Sequence, residues 1–204
     1  MTKKILLAGI LGGILMFLWE GFAHQVLPLG EAGISALDNE AAFVAVVKDT
    51  VKRPGFYIFP GGEMLQPGLT GAHKEEVMKK AMEQWQTGPS GIMIVHPEGT
   101  DAGSPMLFIR QCLFDIGVTL LAAFLLSMTS LSSFGARLLF VSLIGLVPTL
   151  NAELPYWNWY GFPPAYLFAQ GFTHLMGFVL AGLVIARLVK TVPLLPAAAA
   201  RIAA

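Results

Sequence analysis

One cysteine, Cys112, is all the thiol chemistry the 204 residues offer, so neither an intrachain disulfide nor a cysteine-pair metal clamp can form. Charge is just as scarce. Only 13% of the residues are Asp, Glu, Lys or Arg, about half the ~25% of an ordinary soluble domain. With 55% hydrophobic residues and a mean hydropathy of +0.65, that shortage points to lipid as the solvent. No basic stripe runs along the chain, which argues against a nucleic-acid surface. There is no His-Glu-x-x-His, and Gly61-Gly62 is not followed by Gly-Lys-Ser/Thr, so a zinc-protease helix and a phosphate loop are both missing.

What is present is four long apolar runs: Ile5 to about Leu27, 106–128, 134–150 and 165–189. A helix needs roughly 20 apolar residues to cross ~30 Å of hydrocarbon at 1.5 Å per residue. The first, second and fourth runs satisfy this easily. The third is short and is expected to end at Pro148, which weakens the backbone ladder. Lys3, Lys4 and the small residues at Gly21-Phe22-Ala23 resemble a secretory leader. The apolar run is nevertheless long enough to span, and it is expected to stay as helix 1.

Charge then orients the bundle. Lys3, Lys4, Arg137, Arg187, Lys190 and Arg201 flank the spans on one side with no acid among them. Residues 28–105 hold ten acids against six bases, a net of −4. The positive-inside rule puts both termini and a short C-terminal tail in the cytoplasm and residues 28–105 outside. The second outside loop, 151–164, carries Tyr156, Trp157, Trp159 and Tyr160, an interfacial aromatic belt. Pro163 and Pro164 suit the first turn of the last helix.

Residues 28–105 read as a small α-β-α-β domain. Ala42, Phe43, Val46, Val47 and Val51 recur at helical spacing behind Asp38 or Asn39 as N-cap. Phe56-Tyr57-Ile58-Phe59 and Ile92-Met93-Ile94-Val95 read as neighbouring strands of one sheet, each closed by Gly and Pro. Between them His73–Gln86 predicts a helix with Val77, Met78, Ala81, Met82 and Trp85 on one face. Two strands alone are marginal, so the domain is expected to lean on the membrane helices or a partner. The expected fold is thus an α-helical membrane protein, a four-helix bundle with this α/β domain between helices 1 and 2.

Ten of the thirteen acids fall in that domain; Glu20, Asp115 and Glu153 lie in or at the ends of spans. Intramembrane acids are costly unless paired, which marks them as candidate site residues. Glu20 and His24 share a helix face, as do Gln170 and His174. Arg110, Gln111 and Asp115 lie together in the second span. Glu20 lies about 10 Å below the outer end of its helix, and Asp115 and His174 about 10–14 Å. The polar groups therefore gather in the outer half, above an almost wholly apolar inner half. Three chemistries fit such a cluster. Glu20, His24, Asp115 and His174 suit a metal ion, with Gln170 or Glu153 behind them. His24 and His174 could take haem b if their depths matched. Glu20, Asp115 and His174 suit proton or quinone chemistry. The alternative needs no cofactor: a structural network in which Arg110 pairs with Glu20 or Asp115.

Gly9 and Gly13, and Gly177 with Ala181, form small-x-x-x-small pairs that let helices approach closely, within the chain or between chains. The stretches Phe56–Gly62, Gly88-Pro89 through His96-Pro97-x-Gly99, and Trp157 to Pro163 resemble those of uncharacterised bacterial inner-membrane proteins of the same layout. That resemblance implies a bacterial inner membrane and brings no activity. Small size and a weakly self-sufficient domain favour a non-catalytic accessory or scaffolding subunit. It would sit in membrane lipid and dock other membrane subunits, or copies of itself, through the outside domain. The alternative is a membrane-embedded metal or haem protein.

Overall fold

The computed structural model describes residues 3–191, so Arg201, one of the expected basic flanks, lies outside the described residues. Four helices are long and apolar enough to cross a membrane, which makes this a multi-pass membrane protein. They are α1 (Lys3–Gln25), α4 (Pro105–Ser127), α5 (Phe134–Tyr160) and α6 (Pro164–Leu188). Between α1 and α4 lie α2 (Glu40–Thr50), strand β1 (Gly55–Phe59), α3 (Gly71–Thr87) and strand β2 (Gly91–Val95). The chain divides into two compact units, one of Met1–Ile34 with Ala102–Ala204 and one of Ser35–Asp101. The division falls a few residues inside the expected limits of 28 and 105. The reason is local: an added Cβ on Gly30 would sit 2.8 Å from the His24 ring, and one on Gly33 2.9 Å from the Tyr166 nitrogen. The segment after α1 therefore folds back onto the helical unit.

The packing of the helical unit inverts that of a soluble bundle. Its interior is built from small residues: Ala8, Gly9, Gly12, Gly13, Ala122, Ala123, Ala181, Gly182 and Ala186 are buried. Leu6, Leu11, Leu18, Phe114, Leu121, Leu139, Leu150 and Phe168 point outward. With no water to expel between helices, close backbone approach holds them together, and large apolar side chains face lipid. The two Gly-x-x-x-Gly positions pack inside the chain. An added Cβ would lie 2.7 Å from the Leu120 Cα at Gly9 and 2.6 Å from the Ile116 nitrogen at Gly13. Thr119 Oγ1 locks the same seam by donating to the Gly9 carbonyl at 2.8 Å. On the other side of α1, Gly12 meets Ile185 and Ala181, and Gly177 meets Met16 and Trp19. Trp19 Nε1 donates to the Thr173 carbonyl at 2.9 Å.

The third span departs from the expected short helix. It does not stop at Pro148. Pro148 has no N–H to give to the Ile144 carbonyl, and its ring crowds that group. The helix answers with a π turn over Thr149–Glu153 and then continues as Leu154–Tyr160. The expected loop 151–164 is thereby helical as far as Tyr160. Gly161, at φ +70, ends it in the left-handed conformation glycine adopts freely. Tyr156 stacks on Phe162 at 5.3 Å, and Phe162 meets Tyr166 at 5.3 Å, fixing the turn into α6. The four aromatics of the belt are exposed. Tyr156 lies about 33 Å along the helix from Phe134, past the ~30 Å of a hydrocarbon core.

In the Ser35–Asp101 unit, Asn39 is the N-cap of α2, its Oδ1 accepting from the Ala42 N–H at 3.2 Å. The strands pair antiparallel, with Gly55 opposite Val95 and Phe59 opposite Gly91. α3 buries Val77 and Ala81, and Trp85 Nε1 donates to the Pro60 carbonyl at 2.6 Å. The two helices were expected to share the covering of the sheet. α2 instead buries no residue, so α3 with Val51 supplies the small core.

Candidate functional site

The polar side chains of the spans fall into two groups. The first joins α1 to α4. Gln111 Nε2 donates to Glu20 Oε2 at 3.0 Å and to Asp115 Oδ1 at 2.9 Å. Gln111 and Asp115 are four apart on α4, which sets them on one face. Glu20 reaches that face because the Gly9 and Gly13 seam draws α1 against α4. Asp115 is only 4% exposed, and its second oxygen, Oδ2, is buried without a hydrogen-bond partner among the described residues. One turn further in, Thr119 Oγ1 also lies 2.6 Å from the Asp115 carbonyl, tying the site to the helix seam.

The second group joins α5 to α6. Thr149 Oγ1 and Glu153 Oε2, at the two ends of the π turn, and His174 Nδ1 on α6 are buried and, among the described residues, unpartnered. Gly171 lets the helices close here: an added Cβ would lie 3.2 Å from Thr149 Oγ1. Helical side chains lean toward the N-terminus of their own helix. In antiparallel neighbours, Glu153 and His174 thus lean toward each other, across the level of Thr149 and Gly171. Gln170 is half-buried one residue before Gly171.

Several expectations change. Glu20, His24, Asp115 and His174 do not assemble as a metal site: among the described residues, no three His, Cys, Asp or Glu side chains converge on one point. The physical reason lies in His24, which is exposed, its Nδ1 3.0 Å from the Glu20 backbone carbonyl near the end of α1. His174, the other imidazole of the spans, is half-buried on α6. Arg110 is exposed and pairs with neither Glu20 nor Asp115; among the described residues the ion pairs are Lys52–Asp49 and Lys80–Glu63. Gln111 takes the bridging role instead. Comparison with family models, curated proteins and solved structures gives no match.

Two further features escaped the sequence reading. Arg137, counted there as a basic flank, is a clamp. Its Nε donates to the Ala186 carbonyl at 3.0 Å, and its Nη1 to those of Ser132 at 2.7 Å and Leu131 at 3.3 Å. Thr191 Oγ1 shares the Leu131 carbonyl. In the Ser35–Asp101 unit, Gly61, Gly62, Met64, Val77, Lys80 and Gln84 line a cleft of about 250 Å³, with the Lys80–Glu63 pair at 3.5 Å beside it.

Proposed function

We propose that this multi-pass protein is a non-catalytic accessory subunit of a larger assembly in a bacterial inner membrane. Its termini lie in the cytoplasm, and its Ser35–Asp101 unit docks a partner on the outer side. The observation that carries the reading is α2. Phe43, Val44 and Val46 are 46%, 52% and 64% exposed on a helix that buries nothing. An apolar helix that adds nothing to its own core is suited to completing someone else's. The excess of acids in the surrounding segment favours a basic partner surface. The orientation rests on the basic flanks of the spans and the acidic intervening segment.

The test uses the full chain in native membranes, in a Cys112→Ser background. A photo-crosslinking residue at position 43 is expected to give one discrete adduct with another membrane protein or a second copy. Val46→Asp should abolish it, while Met82→Asp on α3 should leave it. A cysteine at Thr70 should react with a membrane-impermeant maleimide added outside, and one at Ser127 should not. A lone monomer with no adduct sinks the subunit reading. Reversed labelling sinks the orientation.

A further inference from the structure

Two carboxylates sharing one neutral donor leave a charge unbalanced. Both bonded oxygens lie within hydrogen-bond distance of the same Gln111 nitrogen, at 3.0 and 2.9 Å, so the carboxylates are close neighbours. An amide supplies a dipole, not a charge. The other charged or titratable side chains on the packed helices are Lys3, Lys4 and His24 on α1, Arg110 and Cys112 on α4, Arg137, Glu153, Tyr156 and Tyr160 on α5, and Tyr166, His174 and Arg187 on α6. Among the described residues none of them makes an ion pair or a side-chain hydrogen bond to the cluster. Independently of this pairing, Asp115 keeps a fully buried oxygen with no hydrogen-bond partner among the described residues. Like charges this close, surrounded by hydrocarbon, are strongly unfavourable unless a positive charge joins them.

We propose that Glu20, Gln111 and Asp115 form a binding site for one small monovalent cation, a proton or a sodium ion. Gln111 holds one oxygen of each carboxylate, leaving Glu20 Oε1 and Asp115 Oδ2 to the cation. One positive charge leaves a single negative charge, which the Gln111 N–H groups cover. A divalent ion calls for six or more oxygens in a compact shell, commonly with several carboxylates, and no third acid reaches this point among the described residues. The Gln111 Cα lies about 9 Å along α4 from the start of the helix, which sets the site near one end of the span. The site is independent of the docking role proposed for α2.

The test uses the full chain in phosphatidylethanolamine–phosphatidylglycerol nanodiscs and dicyclohexylcarbodiimide, which couples to carboxyl groups carrying a proton in apolar surroundings. Peptide mass spectrometry locates the adduct. The expected result is labelling of Glu20 or Asp115. If the ion is a proton, labelling falls at least tenfold as pH is raised and ignores sodium. If it is sodium, labelling falls at least tenfold with sodium chloride at fixed pH, and choline chloride has no effect. Asp115→Asn should remove the sodium dependence from any label left on Glu20 or, if the ion is a proton, move the fall of that label to lower pH. Should that variant misfold, Glu20→Gln or Gln111→Leu, with circular dichroism confirming the fold, gives the same reading. Folded wild-type protein that is never labelled at either residue overturns the proposal. So does labelling indifferent to both pH and sodium, or labelling that arises only after another protein is stripped away.

Discussion

Gly13→Ala should separate α1 from α4, and its cost can be worked from the seam. The new methyl carbon would lie 2.6 Å from the Ile116 nitrogen, a backbone atom that no rotamer change can move. Ordinary contact begins at 3.4 Å and the Ile116 Cα is nearer still than the nitrogen, so the helices must part by at least about 0.8 Å locally. The Thr119–Gly9 hydrogen bond, now 2.8 Å, would stretch to about 3.6 Å and cease to be one. Overpacking of this kind costs about 1–3 kcal/mol. A lost interhelical hydrogen bond in a membrane adds about 0.6 kcal/mol, and about 1.7 at most. A destabilisation of about 2–4 kcal/mol is expected. Gly21 and Gly117 supply the control, since an added Cβ at either meets nothing within 4 Å. Alanine there removes only the flexibility of glycine and should stabilise by about 0.5–1 kcal/mol. The assay is unfolding in mixed micelles by sodium dodecyl sulfate, followed by circular dichroism and by the fluorescence of the four tryptophans. Wild-type stability for Gly13→Ala, or an equal loss for Gly21→Ala, would refute the reasoning.

Other substitutions probe the remaining contacts. Gln111→Leu strips the donor from Glu20 and Asp115 together, and the same titration should show a loss of about 2–4 kcal/mol. Arg137→Lys keeps the charge but cannot reach three carbonyls at once; it should lower stability by about 1.5–3 kcal/mol and speed proteolysis between Ser130 and Ser133. Trp85→Phe removes the bond to the Pro60 carbonyl and should weaken the Ser35–Asp101 unit by about 1 kcal/mol, read as faster cleavage near Gly61 and Gly62.

The features legible in the sequence were those that depend on local composition. Long apolar runs announce spans whatever they pack against, and the Gly and Pro punctuation around Phe56–Phe59 and Ile92–Val95 marks strands before their direction is known. Glu20 and Asp115 could be singled out because acids in hydrocarbon are rare. Their bridge was less visible. Gln111 is uncharged and drew less weight than Arg110 beside it, although its i,i+4 spacing to Asp115 was the available signal. His24 stands four residues from Glu20, yet its ring lies against the Glu20 backbone carbonyl and not beside the Glu20 carboxylate's partners. Pro148 reads as a stop in the sequence because its damage to the ladder is local. The repair is tertiary: Gly145 and Gly171 let α6 press against the turn, an added Cβ on Gly145 lying 3.0 Å from the His174 carbonyl.

The π turn itself allows a last, sharper test. Thr149 Oγ1, Glu153 Oε2 and His174 Nδ1 are buried polar atoms with no partner, and each such atom costs about 1–3 kcal/mol. Valine has the shape of threonine with a methyl in place of the hydroxyl, so Thr149→Val keeps the packing against Gly171, where an added Cβ would lie 3.2 Å from the Thr149 side chain, and removes one unsatisfied group. It should stabilise the protein by about 1 kcal/mol in the detergent titration. Structure alone would then give no reason to keep a threonine there, and a π turn lined with such groups would mark a place where stability is given up for function. Thr149→Leu, which overfills the same space, should destabilise and so show that the site is tightly packed. If Thr149→Val is instead less stable by a kilocalorie or more, the hydroxyl has a partner and the turn is a satisfied structural element.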